Sequence, residues 1–260
     1  ARNADLLAQR FDVRFDLGLD AADVIDAEAF LVAFSTELNS PNLGQFTAGD
    51  LLITNGAILP NQALTAKWQA GYDLGLDAVH LVGDQDSLRA FVDEAAQVPR
   101  DRWIENPGLL EEFLSQHGVD IWFSTEGTLG PVDQPTFLDG DLLSAANGTI
   151  VAGNDLLLPP GVPAGIPVRG VDFGLDAVTA DRAGTRARVR YSTEILHKGQ
   201  VSFTDGDVLL NGNGVVTLHQ DLIQCFEPRA RFLGLDAFHA PAVELPGVHT
   251  YLPVVPLNYR

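Results

Sequence analysis

The sequence predicts an all-β fold assembled from four related units, each of four short strands. Three observations carry that prediction. The tetrapeptide Gly-Leu-Asp-Ala occurs four times, ending at Ala21, Ala78, Ala177 and Ala237. An aromatic-Ser-Thr-Glu motif occurs three times, at Phe34–Glu37, Phe123–Glu126 and Tyr191–Glu194. A Gly-Asp pair followed by Asn-Gly also occurs three times: Gly49-Asp50 with Asn55-Gly56, Gly140-Asp141 with Asn147-Gly148, and Gly206-Asp207 with Asn213-Gly214. Self-similarity of this kind marks a chain in which each supersecondary unit packs on the next.

The elements follow in order within a unit. The first strand begins in the tetrapeptide, as in Leu76–Leu81. The second, Ile121–Thr125 in the second unit, ends in the aromatic-Ser-Thr-Glu motif. The third runs from Gly-Asp and the fourth follows Asn-Gly. Asn-Gly between apolar runs signals a hairpin, and as a type I′ turn it needs positive φ at both residues. A further element recurs at Asp155–Leu158 and Asp221–Ile223, with a weaker copy at Ala63-Leu64. β-branched and aromatic content supports strands throughout.

Asp20, Asp77, Asp176 and Asp236 align the copies at spacings of 57, 99 and 60 residues. A four-stranded unit of about 60 residues resembles a blade of a β-propeller. The resemblance implies one repeat domain over 1–260, a β-propeller-like fold of about four blades. The units are 22–78, 79–177 and 178–237, with a fourth split between the termini, 238–260 plus 1–21. The split rests on Asn3-Ala4-Asp5-Leu6-Leu7, which matches Asn154-Asp155-Leu156-Leu157, and on a strand-like run at Val248–Val255. The last segment lacks the aromatic-Ser-Thr-Glu and Gly-Asp motifs, and the first aspartate of Asp-x-Gly-Leu-Asp is replaced there by Phe232. A β-solenoid or a β-sandwich would use the same strands.

The long middle spacing reflects a helical insertion, residues 84–118. Leu88, Phe91, Val92 and Ala95 share a face over Ser87–Ala96, which Asp86 or Ser87 would cap. A second helix fits Pro107–His117, stopped by Gly118, with Trp103 between the two. The pair is expected to cover an edge or one end of the ring, or to serve as a lid or partner-binding hairpin.

The formal net charge of −19, from 35 acidic and 16 basic residues, disfavours nucleic acid as a partner. No apolar run is long enough for a transmembrane segment. A start at Ala1 suggests a removed signal, hence a secreted, extracellular or periplasmic protein. Cys225 is the only cysteine, expected to be a buried small hydrophobe.

Acidic residues recur at fixed places. Asp20, Asp77, Asp176, Asp236, Glu37, Glu126 and Glu194 are the candidate metal ligands, and hard oxygen donors of this kind suit Ca²⁺. The competing reading makes the repeated aspartates turn-formers that accept local backbone N–H bonds. Asp23, His80, Thr179 and His239 share one repeat position, and their common polarity suggests a site facing water or a turn. No nucleophile elbow, P-loop, dinucleotide motif or zinc spacing occurs. The expected function is therefore a non-enzymatic exported binding or scaffold module, calcium-stabilised, with a protein or glycan ligand. The alternatives are a metal-assisted hydrolase or lyase with its site at the ring axis, and a self-associating subunit of a surface layer or fibre.

Overall fold

The computed structural model describes residues 3–183, 186–225, 233–240 and 252–253. The chain is mostly β. A first sheet runs β1 (Ala22–Asp26), β2 (Leu31–Phe34), β3 (Leu51–Ile53), β4 (Ile58–Leu59). A second runs β5 (Val79–Val82), β6 (Asp120–Phe123), β7 (Leu142–Ser144), β8 (Thr149–Ala152). A third runs β9 (Ala177–Ala183), β10 (Arg186–Ser192), β11 (Val208–Leu210), β12 (Gly214–Thr217). Each is an antiparallel meander in chain order, and β13 (Phe238–His239) pairs with β14 (Leu252–Pro253) in a two-stranded sheet. Phe232 and most of Val248–Val255 lie outside the described residues.

The sheets stack face to face, so most of their strands bury both sides. Leu31, Ala33, Leu51 and Ile53 face Val79, Leu81, Ile121 and Phe123 in the largest core. The opposite side of the first sheet, with Val32, Phe34 and Leu52, packs on Leu6, Leu7, Phe11 and Leu17 of the N-terminal segment. Trp122 and Leu142 of the second sheet pack on Val178, Val189 and Tyr191 of the third. Ala177 and Val208 of the third pack on Leu235 and Phe238. Burial on both faces explains why β2 and β3 read as continuous apolar runs and not as alternation. The first strands are neighbours in succession: β1 against β5, β5 against β9, β9 against β13, and β13 against β1.

The repeated motifs tie one unit to the next. Ser35 Oγ donates to the Leu76 carbonyl (2.9 Å), Ser124 Oγ to that of Leu175 (2.6 Å), and Ser192 Oγ to that of Leu235 (2.7 Å). The serine of each second strand thus holds the tetrapeptide that leads into the next sheet. Replacing Ser124 by Ala would leave the Leu175 carbonyl buried without a partner, at a cost of about 1–3 kcal/mol. The urea midpoint should drop accordingly; an unchanged midpoint would remove the bond from the account.

The element after each fourth strand is a short helix: α2 (Asn61–Leu64), α6 (Asn154–Leu157) and α7 (His219–Ile223), with α1 (Asn3–Ala8) in the same position near the N-terminus. Its first residue clamps the coming linker. Asn61 accepts from Leu74 N and donates to the Gly75 carbonyl; Asn3 makes the same two bonds to Leu17 and Gly18. Asn154 accepts from Phe173 N, and His219 from Leu233 N.

Several expectations are corrected. In the three Asn-Gly hairpins only glycine takes positive φ, at Gly56 (+106°), Gly148 (+62°) and Gly214 (+109°). The turns are therefore not type I′, and two of the hairpins carry a register shift beside them. Cys225 is exposed and not buried. The insertion holds three helices, not two: α3 (Gln85–Ala95), α4 (Arg100–Glu105) and α5 (Leu109–His117). Asp84 caps α3, accepting from Ser87 N at 3.0 Å, in place of Asp86 or Ser87. Gly118 ends α5 at φ +65°, as the sequence predicts. The insertion does not merely cover an edge. Phe91, Val92, Trp103, Leu110 and Leu114 enter the core between the first and second sheets. Arg89 pairs with Asp26 at one end of the first sheet, and Arg100 Nε with Asp50 (2.6 Å) at the other.

Candidate functional site

Antiparallel pairing brings the start of each first strand beside the end of each second strand: Ala22 opposite Phe34, Val79 opposite Phe123, Ala177 opposite Ser192. The tetrapeptide aspartate and the motif glutamate of a unit therefore emerge at the same end of its sheet. The loops joining second to third strands and the linkers between units lie at this end too.

The structure separates acidic positions that look alike in the sequence. The first aspartate of Asp-x-Gly-Leu-Asp makes the turn: Asp16 accepts from Gly18 N (3.0 Å), Asp73 from Gly75 N (2.9 Å), and Asp172 from Gly174 N (3.4 Å). The Gly-Asp aspartates join hairpin to helix. Asp141 accepts from Leu138 N and Asn154 N, Asp207 from Thr204 N and His219 N, and Asp50 from Thr47 N and Asn61 N. For these positions the turn-forming reading holds.

The seven nominated carboxylates behave otherwise. Oxygens of Asp20, Asp77 and Glu126 all lie within 4.8 Å of one another. Asp176, Asp236, Glu37 and Glu194 fall outside that tight group but lie close enough to repel its members or one another. Among the described residues, no lysine or arginine forms an ion pair with any of the seven.

Burial without a counter-charge decides the electrostatics. Burial pushes the Asp20 carboxyl up to about 8, with Glu126, Glu37 and Asp236 adding repulsion. Asp176 is pushed up to about 9 by burial and by Asp236 and Asp20. Asp236 rises to about 6 through burial and Glu37. Asp77 is raised well above the carboxylate range by burial and then by Asp176, Asp20, Glu194 and Glu126. Glu126 and Glu194 are raised as well, burial again leading. Asp77 is buried, at 3% exposure; its Oδ2 receives no N–H bond, and its side-chain partner is the carboxyl of Glu194.

The tetrapeptide glycine makes the convergence sterically possible. Gly18, Gly75 and Gly174 take φ of +77°, +78° and +66°, and a Cβ at each would overlap Glu37, Glu126 or Glu194. Glycine alone serves both the left-handed backbone and the close approach of the glutamate.

Three residues further along the first strands lies a second polar layer, which the sequence reading placed in water or a turn. It is instead buried or nearly so. Asp23 is 3% and Thr179 1% exposed. Asp23 binds His239 Nδ1 at 2.6 Å and lies 3.2 Å from His80 Nδ1, while its Oδ2 accepts from Leu81 N. One aspartate thus links the first strands of three units. Burial acts to raise Asp23, but His80 and His239 hold it well below the usual carboxylate range. His80 is raised, because Asp23 outweighs the effect of burial. The shared repeat position was the available signal; what the sequence lacks is the neighbouring unit against which that position packs.

Neither of two cavities, of about 410 and 170 Å³, is lined by the seven carboxylates. The larger is a groove between the β6–β7 loop and the following linker, walled by Pro135, Phe137, Ile166, Pro167 and Val168. No protein-family model, curated protein or solved structure matches this chain.

Proposed function

We propose that the chain forms a four-bladed, propeller-like ring and acts as a non-enzymatic binding or scaffold module, calcium-stabilised, whose contact surface is the loop end of the sheets. The cyclic neighbourhood of β1, β5, β9 and β13 supports the ring reading. So does the Asn3 clamp, which repeats at the N-terminus the bonds of Asn61 and suits a last unit shared between the two termini. The helical insertion supports the first two blades as a core element, which leaves contact with a partner to the loops.

One observation carries the binding reading. Of the fourteen exposed large hydrophobics among the described residues, nine lie in the loops and linkers of one end. Leu43 is fully exposed there, Val132 is 80% and Val168 74% exposed, and Leu38, Tyr72 and Leu196 lie at the same end. Apolar residues gathered at one end, beside a groove of about 410 Å³, suit a protein contact. With a net charge of −19 and converging carboxylates behind this surface, the favoured partner is a protein segment combining basic with apolar side chains. A setting outside the cell suits the module, because calcium sites of moderate affinity fill there.

The test is a screen of the whole chain against basic peptide and glycan arrays, with size-exclusion light scattering for self-association. The Val132→Ser, Val168→Ser double variant serves as the comparison. Peptide binding that the variant loses at least tenfold is the expected result. Binding that the variant retains, capture of glycans alone, or dimers broken by the same variant would overturn the assignment of a basic protein partner.

A further inference from the structure

We propose that Asp20, Asp77 and Glu126 form a divalent-cation site and that the ion it takes is Ca²⁺. The site is independent of what the loop end binds. Two observations carry it. The first is geometric: three carboxylate oxygens lie within 4.8 Å of one another, a spread that one Ca²⁺ shell with bonds of about 2.3–2.6 Å covers. The second is the buried Asp77 side chain, whose Oδ2 receives no N–H bond and whose one side-chain partner is another acid, Glu194. A buried carboxylate oxygen without a donor is costly unless a cation or a proton satisfies it.

The donor chemistry narrows the ion. The ligands are oxygens alone, with neither histidine nor cysteine among them, which favours a hard cation over zinc or copper. Asp176, Asp236 and Glu194 lie nearby without joining the tight group. The ligand set also crosses units. Asp20 precedes the first strand of the first sheet, whereas Asp77 precedes the first strand of the second and Glu126 follows its second strand. The ion would therefore fasten neighbouring units at the end where their carboxyl groups crowd together.

The experiment uses the whole chain, stripped with EDTA and titrated by calorimetry with CaCl₂ or MgCl₂ at neutral pH, with melting followed in parallel. Saturable Ca²⁺ binding with a raised melting temperature is expected, and at least tenfold weaker binding in Asp77→Asn. The same variant should melt higher than the wild type in ion-free buffer, because it removes a buried carboxyl from a crowd of acidic groups. A general loss of structure would lower it. Glu126→Gln, at a more exposed ligand, should also weaken Ca²⁺ binding at least tenfold, and Asp133→Asn in an exposed loop should leave it unchanged. Absence of saturable Ca²⁺ binding, or full affinity retained in both ligand variants, would overturn the site. Equal affinity for Mg²⁺ would overturn the assignment to calcium.

Discussion

In ion-free buffer the melting temperature should fall, by on the order of 10 °C, as pH is raised from about 5 to about 9. Most proteins gain or hold stability over the lower part of that range, so the direction is diagnostic. Its cause is the carboxylate cluster. Asp20, Asp176 and Asp236 bind their protons more tightly in the fold, at about 8, 9 and 6, than in the unfolded chain, where carboxylates titrate near 3.8. Below pH 4 both states are protonated and the native state keeps the full benefit. As pH rises through the window from about 4 to 9, the unfolded chain has already released these protons and the folded one must give them up against repulsion. Stability is lost over that window. His80, also raised in the fold, works in the same direction as it loses its charge beside Asp23. Asp23 itself is depressed, so its contribution is lost only at pH below the ordinary carboxylate range. Millimolar Ca²⁺ should flatten the slope, because the ion replaces the protons. A melting temperature that rises steadily from pH 5 to 9 without the ion would mean that these groups do not converge.

The second large effect concerns the insertion. Trp103→Ala should cost about 3–5 kcal/mol, and deletion of 84–118 should prevent cooperative folding of the first two sheets. Trp103 is fully buried and stacks edge-on against Phe113, with ring centres 5.1 Å apart. It shares one core with Leu51, Ile53, Ile121 and Phe123 of both sheets. Deletion would open that interface and leave Asp26 and Asp50 without Arg89 and Arg100. A lid or detachable partner-binding hairpin would come away with the fold intact. Chemical denaturation of the Trp103 variant, and a melting curve for the deletion, decide between the two. A two-state transition of undiminished stability in either would return the insertion to the role of a lid.

Legibility followed the range of the interactions. Strand order was readable because each motif sits at a fixed offset from a turn, and turns are made by neighbouring residues. The α5 stop at Gly118 and the apolar face of α3 were readable for the same reason. α4 was missed because Trp103 stands almost alone as a hydrophobic signal in a short, charged segment, Arg100–Glu105. The hairpin type differs because Asn-Gly permits a two-residue turn but does not impose one: in all three hairpins the asparagine keeps negative φ.

The candidate site shows the same division. The sequence alone determined that aspartates and glutamates recur at equivalent places, and that glycine precedes each tetrapeptide aspartate by two positions. Only the tertiary structure decided which are spent on turns and which converge. Asp73 and Asp77 stand four residues apart in one linker, yet the first accepts a local N–H bond while the second is buried against acidic groups of its own and neighbouring units. A hydrogen bond to the residue two positions on is encoded by the local chain. Burial and repulsion between units depend on how whole sheets stack, and no window of sequence contains that.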